Sequence, residues 1–338
     1  MISYRQILKR SFGIAWRNKY LWFFGLFASF LSIGAEYKIL LRSTDRDSIL
    51  AWFNGWQNLI GVGVFKGALF VGIFNIFKNS PLVGFLLLSI FLIILTLLVF
   101  VIWMVVSSQV VLVDNVKKII KEDKDMGKVS LHDEIKISQV SFWPVLLLNI
   151  LAKVAVSALV ILIVLPLLFS GLGATAANII YIGLFILLIP VAIFAAFIIK
   201  YAIAYVIVEK MDTKKALHRA WLLFENNWII SVELSLVLFL LSFLATFVVL
   251  LAAGIVFVPF FLFAISFVQI FSAAVSWATM LFGALVSVLF IIAAGSFLAT
   301  WQIIAWTHLF ISLTSHGGES KLERLLPEKL KNIKVFKK

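Results

Sequence analysis

The sequence predicts an all-α integral membrane protein, a polytopic helix bundle with six transmembrane helices in three repeats. Composition is the first observation: 63% of the 338 residues are hydrophobic, 13% are charged, and the mean hydropathy is +1.12. Soluble domains are roughly half apolar and a quarter charged. The second observation is spacing, because long apolar stretches alternate with basic segments along the whole chain.

Most of the 29 lysines and arginines fall in four clusters, and two apolar stretches separate each cluster from the next. Because short loops rich in Lys and Arg stay in the cytoplasm, we expect a multi-pass protein of the cell (inner) membrane with both termini cytoplasmic. The clusters are Arg5, Lys9, Arg10, Arg17 and Lys19; Lys117, Lys118, Lys121, Lys124, Lys128 and Lys136; Lys210, Lys214, Lys215 and Arg219; and Lys321, Arg324, Lys329, Lys331, Lys334, Lys337 and Lys338.

Six apolar stretches are predicted to span the membrane, since about 20 apolar residues cross roughly 30 Å of hydrocarbon. The first of them could also be a signal peptide cleaved near Ala35, but the helical pattern before it is a poor n-region, so a retained anchor is expected. The stretches are residues 20–34 with a flank, 81–106, 142–169, 179–208, 228–252 and 277–313.

Basic amphipathic helices are predicted before the first and the fifth stretch. We expect each helix to lie at the membrane surface with its basic side toward anionic headgroups. The apolar positions are Tyr4, Leu8, Phe12, Ala15 and Trp16 in the first helix, and Leu217, Ala220, Trp221, Phe224 and Trp228 in the segment 212–227. The expected lipid contacts are Arg5, Lys9, Arg10, Arg17, Lys214, Lys215 and Arg219.

The two amphipathic segments also match in sequence, which indicates internal repetition. Leu8, Arg10, Phe12 and Asn18 correspond to Leu217, Arg219, Trp221 and Asn227 at a constant offset. A weaker segment begins with a capping box at Ser130, and Pro144 fits the first turn of the span after it. We therefore predict one membrane domain, residues 1–313, with repeats of about 1–117, 118–210 and 211–313, and a basic cytoplasmic tail, 314–338.

Two further apolar segments leave the topology open. Residues 59–77 could form a seventh span, but crossing there would place the basic segment 117–136 outside the cell. Residues 255–270 hold the same place in the third repeat and contain Pro259. We expect both segments to be interfacial or re-entrant on the outer side.

Three ionisable residues within the predicted spans are candidates for an intramembrane polar site. Lys153, Lys200 and Glu233 lie about 16, 12 and 8 Å from the same membrane face at 1.5 Å per residue. The functional hypothesis is an ion pair with Glu233 that gates a cavity or holds a headgroup. The structural alternative is that Lys200 extends to the interface and Glu233 only joins two helices.

Other chemistry finds little support in the residues. The chain has no cysteine, and no His pair has the spacing of a zinc peptidase. His308, near the end of the last span, is expected to be interfacial. We predict no catalytic residues, no cofactor and no metal, and we attribute the net charge of +13 to anionic lipid because no nucleic-acid motif accompanies it.

A recurring pattern of basic helix, elbow and span pair resembles a loose bacterial group of six-span inner-membrane proteins. The group includes the membrane domain attached to some glycerophosphodiester phosphodiesterases. The residues that carry the resemblance are 15–18 (Ala-Trp-Arg-Asn), 21–22 (Leu-Trp), 220–221 (Ala-Trp) and 226–228 (Asn-Asn-Trp). The catalytic phosphodiesterase domain has no counterpart in this sequence, so the resemblance implies architecture and no activity.

The sequence therefore favours a non-enzymatic membrane scaffold or accessory module that engages lipid or partner membrane proteins. The alternative is a small-molecule or lipid transporter with a cavity between the repeats. A water-filled cavity that reaches Lys153 would favour the transporter, and a dry bundle would favour the module.

Overall fold

The computed structural model is helical in each part of the chain that it describes, residues 4–31, 68–121, 131–168, 174–270 and 272–316. The helices are α1 (Tyr4–Arg17), α2 (Leu21–Ala28) with a 3₁₀ turn (Ser29–Leu31), α3 (Ala68–Asn79), α4 (Pro81–Lys121), α5 (Leu131–Leu168), α6 (Ala174–Val208), α7 (Thr213–Ile270) and α8 (Ala273–His316).

Five helices, α4 to α8, are long and apolar enough to cross a membrane. The all-α membrane class is therefore confirmed at this level. Of the predicted first span, the structure describes only α2 and the 3₁₀ turn, and the remainder lies outside the described residues. α4 has 41 residues and α8 has 44, which makes them about 60 and 66 Å long at 1.5 Å per residue.

Internal contacts divide the chain into two compact units. Unit 1 contains residues 1–31, 105–146 and 197–338, and unit 2 contains residues 32–104 and 147–196. α1, α2, α7 and α8 therefore belong wholly to unit 1, and α3 belongs to unit 2.

The core of unit 1 forms around α8, which packs against α1, α2 and α7. The contact with α2 is close at Gly25, where an added Cβ would overlap the Thr300 side chain. Thr300 Oγ1 donates within α8 to the Ser296 carbonyl at 2.8 Å, and it lies 3.2 Å from the Leu21 carbonyl of α2. The small residue at position 25 is what allows the two helices to approach.

α7 and α8 form a long antiparallel hairpin with polar contacts along its length. Ser276 Oγ donates to the Ala264 carbonyl at 2.6 Å, and Gln302 Nε2 donates to Ser242 Oγ at 2.6 Å. Residues 255–270 do not form a helix of their own, because α7 continues through them to Ile270, and their predicted interfacial or re-entrant placement stays a prediction. A membrane helix tolerates Pro259, since neighbouring helices and local adjustments satisfy the freed backbone groups.

α7 has a kink at Asn227, where φ is −136° and ψ is 28°. α1 and α2 are separated by a similar break at residues 18–20. An elbow, that is, a break between an amphipathic helix and the span that follows it, was also predicted near Pro144. α5 has no such break, because it runs without interruption from Leu131 through Pro144 to Leu168. Pro144 therefore lies inside a helix and does not open one.

In unit 2, α3 is followed directly by α4. Phe77 of α3 packs edge-on against Phe85 of α4 at 5.6 Å between ring centroids. Of the segment 59–77, residues 59–67 lie outside the described residues, so its predicted interfacial placement stays a prediction. The side chains of α4 from Leu82 to Trp103 are almost all exposed, which suits contact with lipid tails.

Candidate functional site

The break between α1 and α2 and the kink of α7 at Asn227 contain the same side-chain hydrogen bond. We call α1 and the part of α7 before this kink, residues 213–227, the elbow helices. Asn18 Nδ2 donates to the Ile14 carbonyl at 2.9 Å, and Asn227 Nδ2 donates to the Leu223 carbonyl at 3.0 Å. In each case the asparagine side chain donates to the carbonyl four residues earlier, and the Ile14 carbonyl also accepts from the backbone amide of Asn18 at 3.1 Å. These are the two asparagines that match in the sequence comparison of the segments.

The elbow helices also bury corresponding positions. α1 buries Ile7, Ser11 and Ala15, and the first part of α7 buries Ala216, Ala220 and Phe224. Each of the three pairs has the offset that relates Asn18 to Asn227. The prediction placed Tyr4 and Ala15 on the lipid side of α1, but both side chains are buried against protein.

Basic side chains cover the outer surface of both elbow helices. All seven residues predicted to contact lipid headgroups are exposed, which leaves them accessible to an anionic surface. They are Arg5, Lys9, Arg10, Arg17, Lys214, Lys215 and Arg219.

An aromatic cluster joins α1, α2 and α8 beside these charges. The Phe297 ring of α8 contacts Phe12, Trp16 and Trp22 with centroid distances of 5.2, 5.7 and 5.2 Å. Trp22 Nε1 also donates to the Ala15 carbonyl at 2.8 Å. Phe12 and Trp16 remain about half exposed, so one side of the cluster is presented outward.

The three predicted intramembrane residues have different surroundings. Glu233 accepts a hydrogen bond from the Tyr4 hydroxyl, which ties α7 to α1. Lys200 Nζ lies 4.7 Å from the centre of the Trp306 ring, a cation–π contact between α6 and α8. Lys153 belongs to unit 2, and its side chain on α5 is exposed.

Beside the Tyr4–Glu233 bond lies a groove of about 600 Å³ between α1 and α7. Its basic and acidic groups come from Arg5, Lys9 and Glu233, and its apolar floor comes from Leu8, Leu236 and Val237, with Tyr4 at one end. The sequence analysis named Arg5 and Lys9 as lipid contacts and Glu233 as a candidate polar residue. It did not predict that these three residues line one groove together with Tyr4. Local periodicity carries no such signal, because Tyr4 and Glu233 are 229 residues apart.

His308 lies in the contact between α1 and α8 and is buried, whereas we expected it to be interfacial. Ile7 and Arg10 of α1 lie near its imidazole. Within the described residues, no group of three or more His, Cys, Asp or Glu side chains could hold a metal ion.

Within the described residues of unit 1, the elbow helices thus contribute to three features: a basic surface, an aromatic cluster and a groove with both charged and apolar residues. No family model, curated protein or solved structure matches the chain at a significant level.

Proposed function

We propose that this chain is a non-enzymatic membrane module whose elbow helices hold the bundle against anionic lipid headgroups. The observation that carries the proposal is that all seven basic side chains on α1 and the first part of α7 are exposed. Each Lys or Arg near an anionic surface contributes about 1 kcal/mol. The elbow helices together would therefore contribute several kcal/mol to lipid binding.

The exposed aromatic rings support the same placement. Phe12, Trp16 and Trp221 have exposed fractions of 47%, 56% and 57%. Aromatic side chains are enriched at membrane–water interfaces, where an apolar ring and a polar edge face different media. In this proposal the elbow helices lie at the cytoplasmic surface of a bacterial inner membrane, and partner membrane proteins bind the module there.

The proposal includes an internal repeat that relates residues 1–117 to residues 211–313. The shared Asn18 and Asn227 bonds and the three matching buried positions favour it. The repeat assigned to residues 118–210 and the sixth span rest on the sequence alone. The resemblance to six-span bacterial inner-membrane proteins also rests on the sequence alone. It is consistent with a module that has no catalytic domain.

Thermal unfolding in nanodiscs tests the lipid contact. We expect the wild-type protein to unfold at a higher temperature in discs with phosphatidylglycerol than in discs of phosphatidylcholine alone. The Lys215→Gln variant should lose part of this gain, equivalent to about 1 kcal/mol. Added salt should reduce the gain further, because exposed charges are screened beyond about 10 Å at 0.1 M.

Glu225→Gln is the matched control, since Glu225 is an exposed residue of the same helix and receives the same amide. Removing a negative charge should leave the phosphatidylglycerol gain intact or increase it. Equal effects of the two substitutions, or no gain in the wild type, would refute the proposed lipid contact.

Lipid transport is a second candidate, favoured by the exposed Lys153 on the apolar helix α5. A charged side chain at the centre of a bilayer costs about 2.5–3.5 kcal/mol on insertion scales, so such residues often mark a pathway. If this candidate is right, vesicles containing the protein will exchange fluorescent lipid between leaflets, and Lys153→Leu will slow the exchange. A wild-type rate equal to that of protein-free vesicles would eliminate it.

A further inference from the structure

We propose that the groove between α1 and α7 binds one phospholipid whose headgroup carries both a phosphate and a primary ammonium. The inference rests on the proposed function, because it requires α1 to lie at a lipid surface. It adds a defined site and a headgroup preference to the general attraction of basic residues for anionic lipid.

The phosphate is recognised by Arg5 and Lys9. These residues are four positions apart on α1, so they lie on one helix face about one turn from each other. Both side chains are exposed and both line the groove. Arg presents a planar fork that can bind two phosphate oxygens at once, and Lys adds a point charge beside it.

The ammonium is recognised by Glu233, on the opposite wall of the groove. The hydrogen bond from the Tyr4 hydroxyl holds the carboxylate toward α1. A carboxylate accepts about four hydrogen bonds, so the bond from Tyr4 is compatible with a second donor. The groove therefore offers positive charge on α1 and negative charge on α7, which complements a zwitterionic headgroup.

The apolar residues of the groove suit the beginning of an acyl chain. Leu8 lies on α1 between Arg5 and Lys9, and Leu236 and Val237 follow Glu233 by about one turn of α7. A volume of about 600 Å³ lies within the usual range for small-molecule sites, about 300–1,000 Å³. One headgroup and the upper part of a chain fill such a space.

The Glu233 carboxylate should bind the headgroups of different phospholipids with different strength. An ammonium forms a charge-assisted hydrogen bond with it, which is about twice as strong as a neutral one. The hydroxyls of phosphatidylglycerol are neutral donors, and the quaternary ammonium of phosphatidylcholine has no N–H to donate. We therefore expect the order phosphatidylethanolamine, phosphatidylglycerol, phosphatidylcholine.

Native mass spectrometry of the full chain tests the inference. The protein is purified in detergent, stripped of lipid, and mixed with equal amounts of the three lipids. One phosphatidylethanolamine should be retained about tenfold in preference to either other lipid. Lys9→Gln should reduce retention of all phospholipids, whereas Lys19→Gln, at an exposed lysine beyond the end of α1 that does not line the groove, should have little effect.

Two variants separate the charge of Glu233 from its structural bond. Glu233→Gln should abolish the preference for phosphatidylethanolamine over phosphatidylglycerol. Tyr4→Phe removes the same protein hydrogen bond but keeps the carboxylate, so it should retain the preference even if it lowers thermal stability.

The inference is overturned if no lipid is retained, if the three lipids are retained equally, or if Lys19→Gln reduces retention as much as Lys9→Gln. The proposed function would survive those results, because it depends on the nanodisc gain and on Lys215. Conversely, selective retention without a nanodisc gain would refute the attraction of the basic side chains to anionic lipid, while α1 would still lie at a lipid surface and the groove site would stand.

Discussion

A hydrogen bond joins α1 to α7, and it is the most informative contact at the residue scale. Tyr4 is buried at 6% exposure, and its hydroxyl donates to Glu233. Hydrogen bonds to charged groups contribute about 1.5–3 kcal/mol. We expect Tyr4→Phe to lower the free energy of unfolding by that amount, measured by denaturation in detergent.

A double-mutant cycle with Glu233→Gln provides the control. The two substitutions should be less than additive, since each removes one partner of the same bond. Additive effects would show that the contact contributes little and that Glu233 is held by other groups.

Gly25 is the residue that allows α2 to pack closely against α8. A Cβ there would overlap Thr300, so Gly25→Ala must move α2 away from α8. Overpacking of this kind costs about 1–3 kcal/mol, and we expect a corresponding fall in the thermal midpoint.

Gly13 is the comparison for Gly25, because it lies in α1 and an added Cβ there meets no atom within 4 Å. Gly13→Ala should be neutral or stabilising by up to about 1 kcal/mol, from helix propensity alone. A loss of stability as large as that of Gly25→Ala would mean that steric overlap is not the cause.

At the scale of elements, the turn between α6 and α7 contains backbone strain. Lys210 has φ of 52°, in the left-handed region that glycine adopts without steric cost. The amide of Met211 points at the Tyr205 carbonyl at 3.4 Å, which places Lys210 as the left-handed residue that ends α6. We expect Lys210→Gly to stabilise the protein by about 1 kcal/mol, measured by thermal unfolding.

Lys210→Ala separates conformation from charge. It removes the ammonium but keeps the Cβ that makes the left-handed region unfavourable, so its midpoint should stay near that of the wild type. If alanine stabilises as much as glycine, the charge and not the backbone is responsible.

The elements also show where sequence reasoning succeeds. Asn18 and Asn227 were matched by sequence offset, and the structure gives both the same bond to a helix carbonyl. The third elbow was inferred from Pro144 and a capping box, and α5 has no break there. A proline is compatible with the interior of a membrane helix, so it was a weaker signal than an asparagine that ends one.

Sequence periodicity predicted the exposed basic residues of the elbows but not the groove. Charge is a local property, and all seven basic side chains are exposed as expected. The faces of α1 were less predictable, because Tyr4 is apolar enough to suit lipid and polar enough to bond Glu233. Only the packing of α1 against α7 and α8 decides between these environments.

For the whole molecule, helix length is the property that the sequence underestimated. The predicted stretches 81–106 and 277–313 have 26 and 37 residues, and the helices that contain them, α4 and α8, have 41 and 44. The apolar pattern gives no signal at a bilayer boundary when the residues beyond it are also uncharged, as they are along the α7–α8 hairpin.

The most direct test of the account is the sidedness of the α7–α8 hairpin. The chain has no cysteine, so single cysteines can be introduced without a background. Lys215→Cys lies on the elbow helix and Ala273→Cys at the turn of the hairpin, both at exposed positions. A membrane-impermeant maleimide should label the Ala273→Cys variant in intact bacteria. It should label the Lys215→Cys variant only after the membrane is permeabilised. Labelling of both positions in intact cells, or of 215 alone, would contradict a membrane-crossing hairpin with cytoplasmic elbow helices.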